Sequence, residues 1–238
     1  MSDNWPSLRW RLKNCRADGK PLLPKKMDDR LTVVLDLDET LLHTYLASDA
    51  KPSQFDYSFT IPPQLYDFDT DYVVHGSLRP GVSRFLEWAA SMFELVVWTA
   101  GTKVYAEAIV NNLDPEKRLI SHVLSQERCI ELHVAGVSCY VKDLELLGRD
   151  LRRTVIIDNS PHAATFNLSN LIPIESFFGC EEDQWLDRLR QFLEQCLEAQ
   201  QAAGEKDIRL VLHRQLDLKR RLRHKVAQWV EEEEIMEI

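Results

Sequence analysis

Two kinds of apolar pattern alternate along most of the chain. In the first, apolar residues are continuous, which is typical of strands buried on both faces of a parallel sheet. These strand patterns are LTVVLDL, FELVVWTAG, SHVLS, RRTVIID and LIPIESF. In the second, apolar residues recur at helical spacing, as in VSRFLEWAASM, TKVYAEAIVNNLD and EEDQWLDRLRQFLEQCLEAQQ. The alternation predicts an α/β fold with a mostly parallel sheet.

Two other stretches predict antiparallel structure. Residues 46–78 contain Pro52, Pro62, Pro63 and many aspartates, and they hold two short strand patterns, FDYSFTI and DYVVHGSL. This composition predicts a small β-insertion after the first strand. Further along, CIELHVAGVSCYVKDL predicts a hairpin.

The patterns divide the chain into three parts. Residues 1–28, which include several prolines and a glycine, predict an irregular lead-in. Residues 29–199 contain the alternating strands and helices and predict one domain. Residues 200–238 predict a helical tail, in which a looser apolar stripe precedes the acidic end EEEEIMEI.

The composition of the chain indicates which binding partners and which cellular compartments are expected. The chain has 238 residues and a formal charge of −9 at pH 7, so we expect no direct nucleic-acid binding through a wide basic face. Five cysteines without a CxxC spacing argue against a disulfide framework or structural zinc and favour a reducing compartment. No apolar run approaches the roughly 20 residues of a membrane span, so we expect no transmembrane segment.

Reactive side chains cluster where the predicted strands end. They are Asp36, Asp38 and Thr40 after the first strand, Thr99 after the second, Asp158 and Asn159 after the fourth, and Lys142 on a loop before the fourth. In open parallel sheets the active site lies at the carboxyl ends of the strands. We therefore expect these residues to converge on one crevice.

Their charges predict a cation and a phosphate. Asp36 and Asp38 project to the same side of an extended chain, and Asp158 would bring a third carboxylate. Repulsion and desolvation make three buried carboxylates costly, and a divalent cation with hard oxygen ligands, Mg²⁺, removes most of that cost. Lys142 adds a positive charge and Thr99 a hydroxyl donor, a combination that suits a phosphate.

The two acids of the first strand can then take different roles. Asp36 can attack phosphorus and form an aspartyl-phosphate, while Asp38 can protonate the leaving alkoxide and later deprotonate water. Each residue alone also has a structural interpretation: Thr99 as a strand-end cap, Lys142 as a solvated lysine. The combination, in this order and at strand ends, favours catalysis. Glu39 is not needed for it, and we expect its side chain to point away.

Several of these stretches together resemble the carboxy-terminal-domain phosphatases of the haloacid dehalogenase superfamily. They are DLDETLLH, RPGVSRFL, VVWTAGTKVYAEAI, YVKDLELLGRDLRRTVIIDNSP and NLIPIESFFG. The resemblance covers about residues 20–197, and KDIRLVLHRQLDLKRRL is similar to the C-terminus of the Dullard-type branch. It implies a three-layer Rossmann-like parallel sheet, with the β-insertion as the substrate-recognition element. Members are magnesium-dependent protein serine/threonine phosphatases.

The resemblance also implies residue roles. It gives Asp36 as nucleophile and Asp38 as acid/base. The residues that it places at the phosphate or substrate are Thr40, Thr99, Ala100, Tyr105 and Lys142. The Mg²⁺ ligands that it implies are Asp36, the Asp38 carbonyl and Asn159, with Asp158 close by.

The chain departs from the family pattern near the expected substrate. Gln126 stands where the small phosphatases carry an arginine. Leu46 and Thr102 replace two residues of their proline-binding pocket, while Tyr105 is retained. These departures argue against recognition of the RNA polymerase II tail, but not against catalysis.

We therefore expect a magnesium-dependent protein serine/threonine phosphatase that acts on a phosphoprotein substrate. The alternative is a mitochondrial presequence-import receptor of the same fold, which acts by binding. Dullard-type proteins carry an N-terminal membrane segment, and we expect none here, so membrane attachment would need a membrane-bound regulatory partner. The expected location is the nucleus or cytoplasm, including the periphery of the nuclear envelope, and the mitochondrion is less favoured.

Overall fold

The architecture is that of a parallel sheet with a second, smaller sheet beside it. A computed structural model describes residues 19–46, 55–61, 72–134 and 137–216. The strands in chain order are β1 (Leu31–Leu35), β2 (Leu42–Leu46), β3 (Tyr57–Ile61), β4 (Tyr72–Leu78), β5 (Phe93–Trp98), β6 (His122–Leu124), β7 (Ile130–Val134), β8 (Val137–Val141), β9 (Thr154–Asp158) and β10 (Leu171–Pro173). The helices are α1 (Val82–Met92), α2 (Lys103–Leu113), α3 (Trp185–Ala202) and α4 (Ile208–Leu216).

Strand β1 lies at the centre of a five-stranded sheet. The order is β10-β9-β1-β5-β6, and every pairing in it is parallel. The chain runs from β1 outward to β5 and β6, and later returns to the other side of β1 through β9 and β10. A crevice therefore opens at the carboxyl ends of β1, β5 and β9, where the strand order reverses. The predicted parallel α/β sheet is confirmed.

Side chains of β1 alternate between two apolar clusters on opposite faces of the sheet. Val33 and Leu35 pack with buried residues of the four helices found in the described residues. Val34 packs with Ile130 and Val141 of the β7–β8 hairpin and with the 3-10 turn Leu144–Leu147. The three predicted layers are present, but the hairpin and short turns, rather than helices, form the third layer.

Helix α4 lies beyond the predicted domain boundary at residue 199. Its apolar side chains Ile208, Val211 and Leu212 are buried in the same cluster as Leu193 of helix α3. Helix α4 is therefore part of the packed core. The rest of the predicted tail and residues 1–18 of the predicted lead-in lie outside the described residues. Within the described part of the chain, no helix combines the length and the apolar character of a membrane span.

The smaller sheet, here called the cap sheet, has the antiparallel order β2-β4-β3. It begins at Leu42 rather than at residue 46, because strand β2 follows the loop after β1 almost at once. In β4, a Cβ on Gly76 would lie 2.0 Å from the Tyr57 ring. The ring can therefore lie over this position only because it is a glycine. Residues 47–54 and 62–71 of the predicted insertion lie outside the described residues.

A buried ion pair lies at the amino-terminal end of β5. Glu94 accepts hydrogen bonds from Nη2 of Arg149 at 2.7 Å and from Oγ1 of Thr32 at 2.6 Å. Arg149 also donates to the carbonyl of Pro24 at 2.8 Å. Burial alone would raise the pKa of Glu94, but hydrogen bonds from His122, Arg149 and Thr32 outweigh it and hold the pKa below its ordinary value. The pair thus ties the segment before β1 to the sheet.

Replacing Glu94 by glutamine should lower the free energy of unfolding at neutral pH by about 3–5 kcal/mol, because Arg149 is left buried without a counter-charge. The folded-state pKa of Glu94 lies below its unfolded-state value. Its contribution is therefore present above about pH 4.3 and is lost as the pH falls below that. Urea denaturation should show the difference between wild type and E94Q shrinking in acid.

Asp187 offers a control, since its 3.9 Å pair with Arg84 is exposed. D187N should leave the free energy of unfolding nearly unchanged. A deficit of E94Q that stayed constant from neutral to acidic pH would show that the carboxylate charge of Glu94 is not what stabilises the fold.

Candidate active site

The predicted residues converge in the crevice at the carboxyl ends of β1, β5 and β9. Asp36 directly follows β1, and its main-chain N–H donates to the carbonyl of Ile157 at 3.0 Å, so it stays in register with β9. Asp158 is the last residue of β9, and Thr99 follows β5. A cavity of about 330 Å³ opens there, and Lys142 reaches it from the end of strand β8.

Lys142 lies between two carboxylates. Its Nζ donates to Oδ1 of Asp36 at 2.5 Å and to Oδ2 of Asp158 at 2.8 Å, and only 2% of its side chain is exposed. Burial alone would lower the pKa of Lys142, but the charges of Asp36 and Asp158 raise it above the ordinary value. The ammonium is therefore charged at the centre of the site.

Asp158 is also protonated more readily than a free aspartate. Burial raises its pKa to about 6, and the charge of Asp36 adds to this shift while Lys142 opposes it. Its Oδ1 accepts the main-chain N–H of Ser160 at 2.8 Å, which holds the carboxylate at the strand end.

Asp38 has different neighbours from Asp36. Its Oδ1 accepts a hydrogen bond from the Tyr105 hydroxyl, and its Oδ2 lies 3.3 Å from the Thr99 hydroxyl. Burial raises the pKa of Asp38 to about 6. Repulsion by Asp36 adds to this shift, whereas the hydrogen bond from Tyr105 opposes it. Two carboxylates two positions apart therefore lie in distinct electrostatic environments.

Thr40 and Asn159 place two further oxygens beside Asp36. The buried hydroxyl of Thr40 donates to Oδ2 of Asp36 at 2.9 Å and lies 3.4 Å from Oδ1 of Asn159. The amide nitrogen of Asn159 donates to Oγ of Ser176 at 3.0 Å, so the amide oxygen is the atom that faces the Thr40 hydroxyl. Carboxylate and amide oxygens are the ligands that Mg²⁺ prefers, so these atoms suit that ion.

The excess of negative charge in the cavity and the oxygen atoms that line it both favour a hard cation. One ammonium, Lys142, and three carboxylates, Asp36, Asp38 and Asp158, line the same cavity, and a divalent ion would neutralise the excess negative charge. Among the described residues, no three acidic, histidine or cysteine side chains form a metal-binding group. The predicted Mg²⁺ ligands do not require such a group of side chains, because they include the amide oxygen of Asn159 and the main-chain carbonyl of Asp38.

Glu39 also lines this cavity, and its charge adds to the raised pKa of Asp38, but its own side chain is paired with His43. Its φ of 58° lies in the left-handed region, which lets the loop turn sharply between Asp38 and Thr40. Its Oε1 lies 3.1 Å from Nδ1 of His43, and its carbonyl accepts the N–H of Phe177 at 2.8 Å. The carboxylate is thus paired outside the cluster around Lys142.

Of the remaining predicted residues, one lines the same cavity and two line a neighbouring one. Ala100 is exposed and lines the cavity, beside Thr99. Thr102 and Gln126 line a neighbouring hollow of about 590 Å³, which shares Tyr140 with the first cavity. The side chain of Leu46 lies outside the described part of the structure.

Some contributors were missed at the level of sequence. Ser138 and Tyr140 line the cavity with Lys142, and their two-residue spacing along β8 is the signal that could have identified them. Arg79, which was given no role from the sequence, is buried and binds main-chain and side-chain groups. Its partners are the carbonyls of Thr40 at 2.9 Å and Glu175 at 2.8 Å and the carboxylate of Asp183 at 2.8 Å. It therefore holds the loop that carries Thr40.

Comparison with known proteins gives a consistent match. The family model described as NLI interacting factor-like phosphatase matches residues 31–209. The chain is 40% identical over 176 residues to CTD small phosphatase-like protein 3 of Caenorhabditis elegans, a match that covers 73% of this chain and 58% of that protein. It is 39% identical over 170 residues to the human carboxy-terminal domain RNA polymerase II polypeptide A small phosphatase 1, covering 70% of this chain and 59% of the relative.

A solved structure shares the fold. The fission yeast RNA polymerase II CTD phosphatase Fcp1-R271A, bound to beryllium fluoride, superposes with a TM-score of 0.59 at 19% identity, covering 78% of this chain and 70% of that one. The chain spans less than two thirds of the length of the curated relatives that it matches, 58% and 59% for the two named above.

Removing the central ammonium should destabilise the fold. In Lys142→Met, Asp36 and Asp158 would remain buried without a counter-charge, so we expect a loss of about 3–5 kcal/mol in the free energy of unfolding. The second change Asp158→Asn removes one of those charges and should recover part of the loss in the double variant. Chemical denaturation of the single and double variants measures both effects. Independent, additive losses would contradict the assignment of Lys142 as counter-charge to Asp158.

Proposed function

Because the chain belongs to the family of NLI interacting factor-like phosphatases, we propose that it is a protein phosphatase that hydrolyses phosphoserine or phosphothreonine through an aspartyl-phosphate. The observation that carries the proposal is the contrast between the two acids after β1. Asp36 is paired with a buried ammonium, whereas Asp38 is bound by neutral hydroxyls and has a raised pKa. A nucleophile and a proton carrier need this kind of difference.

The reaction then takes two balanced steps. In the first, the Asp36 carboxylate forms a bond to phosphorus as the ester P–O bond breaks, and Asp38 gives its proton to the leaving serine or threonine oxygen. In the second, Asp38 removes a proton from water, whose oxygen attacks the same phosphorus. The bond between phosphorus and Asp36 breaks, which releases phosphate and restores both carboxyl groups.

Several residues can bind the phosphoryl group while it is transferred. The Lys142 ammonium and the Thr99 hydroxyl lie at the cavity, and Ala100 leads into the first turn of helix α2, whose N–H groups attract anions. Thr40 holds Asp36 from the opposite side. Mg²⁺ would be held by Asp36, the Asp38 carbonyl and Asn159, with Asp158 close by, and would stabilise charge on the transferring group.

The substrate and setting are part of the proposal. The substrate is a phosphoprotein, and Gln126 and Thr102 at the neighbouring hollow argue against the polymerase tail that some relatives' names mention. The similarity of residues 206–222 to Dullard-type proteins supports a place in the nucleus or cytoplasm. A membrane-bound partner would account for attachment at the nuclear envelope.

The nucleophile assignment predicts the effect of Asp36→Asn. The variant should release phosphate from an aryl phosphate and from a phosphoserine peptide roughly a thousandfold more slowly, because the amide cannot attack phosphorus. Glu39→Gln, in the same loop but paired with His43, is the matched control and should stay active. Wild-type activity in D36N would refute the nucleophile. If the wild-type protein itself releases no phosphate but binds mitochondrial presequence peptides, the import-receptor alternative is favoured.

The metal assignment predicts a dependence on Mg²⁺. Dialysis against a chelator should abolish phosphate release, and added Mg²⁺ should restore it. In Asn159→Ala, about 10- to 100-fold more Mg²⁺ should be needed for half-maximal activity, because one oxygen ligand is lost. Titration of activity with Mg²⁺ measures this, with Glu39→Gln again as the control. Full activity after exhaustive chelation would overturn the metal assignment.

A further inference from the structure

The carboxyl group of Asp38 is held from both sides by hydroxyls of different elements. Tyr105, in the first turn of helix α2, donates to Oδ1, and the Thr99 hydroxyl lies 3.3 Å from Oδ2. Thr99 Oγ1 also accepts the N–H of Gly101 at 2.9 Å, which leaves its own proton for Asp38. With one donor on each oxygen, the carboxyl plane cannot rotate freely.

Tyr105 is in turn braced by the cap sheet. Its hydroxyl lies 3.3 Å from Oγ1 of Thr44 on β2. A tyrosine hydroxyl has one proton, and a carboxylate is a stronger acceptor than a hydroxyl, so Tyr105 donates to Asp38 and can accept from Thr44. The Tyr105 ring also packs against Phe59 of β3, with centroids 6.0 Å apart.

A second tyrosine packs against the same phenylalanine but makes no hydrogen bond to Asp38. Tyr57 stacks on Phe59 at 6.3 Å and is only 6% exposed. Its hydroxyl has no hydrogen-bond partner among the residues that the structure describes. Tyr57 and Tyr105 therefore share a packing environment but differ in contact with Asp38, which makes Tyr57 a natural internal comparison.

We infer that Tyr105 is a positioning residue for Asp38, with Thr44 of the cap sheet as its brace. Its hydroxyl holds Oδ1 so that the carboxyl group faces the leaving oxygen of the substrate. The inference rests on the proposed function, in which Asp38 gives that oxygen a proton. It differs from the substrate-binding role that the resemblance implies for Tyr105, because the hydroxyl is engaged by the protein itself.

The two roles predict different kinetics. A serine alkoxide is a poor leaving group and needs a proton from Asp38 as the ester bond breaks, whereas 4-nitrophenolate leaves without one. A lost positioning contact should therefore lower kcat for a phosphoserine peptide and spare the initial release of nitrophenol. A lost substrate contact should instead raise KM for the peptide and leave kcat nearly unchanged.

The test uses Tyr105→Phe, which keeps the ring and removes the hydroxyl. We expect kcat for a phosphoserine peptide to fall by about tenfold or more with KM unchanged. The single-turnover burst of nitrophenol from 4-nitrophenyl phosphate should change less than about twofold, because that step needs no general acid. Thr44→Val should act in the same direction with a smaller effect. Tyr57→Phe should match wild type on both substrates.

A double-variant comparison separates action through Asp38 from any other action. In an Asp38→Asn background, Tyr105→Phe should cause little further loss on the peptide, because the group that it positions is already gone. An additive loss, an equal loss on both substrates, or a change in KM alone would overturn the inference while leaving the phosphatase intact. If wild type releases no phosphate from either substrate, the proposed function fails, and the inference fails with it.

Discussion

The contact of one buried ammonium with two buried carboxylates is the constraint on which the site depends. Lys142, Asp36 and Asp158 are all nearly excluded from water, so none can replace its partner by solvent. Charges in such surroundings stabilise a structure only when paired with good geometry, and removal of one member leaves the others uncompensated. The contact therefore fixes the ends of β1 and β9 and the exit of β8 relative to one another.

The layers on either side of the sheet can be understood from this requirement. On one face, the β7–β8 hairpin covers Val34 and delivers Lys142 from its end. On the other, Arg79 lies at the junction of the cap sheet and helix α1, where its guanidinium binds the carbonyl of Thr40. Both cations are buried, and both hold the loop after β1. The same loop is thus held by an ion pair inside the site and by main-chain hydrogen bonds behind it.

What could be predicted from sequence followed from local pattern. Parallel strands end in the same crevice, so Asp36 and Asp158 could be placed together before any contact was known. The contacts of Arg79 could not, because its partners are main-chain carbonyls and Asp183, far away along the chain. Helix α4 was predicted as tail because an apolar stripe of this spacing fits an exposed amphipathic helix as well as a buried one.

The proposed difference in role between the two acids follows from the charge of their neighbours rather than from their spacing. Asp36 faces an ammonium, which pairs with its negative charge. Asp38 is hydrogen-bonded by hydroxyls, which can donate to a carboxylate and can also accept from a carboxylic acid. Neutral hydroxyls therefore fix the position of Asp38 in both protonation states, whereas a cation would favour only one. Because Tyr105 contacts Thr44 and Phe59 of the cap sheet, that sheet would bear on the proposed proton transfer.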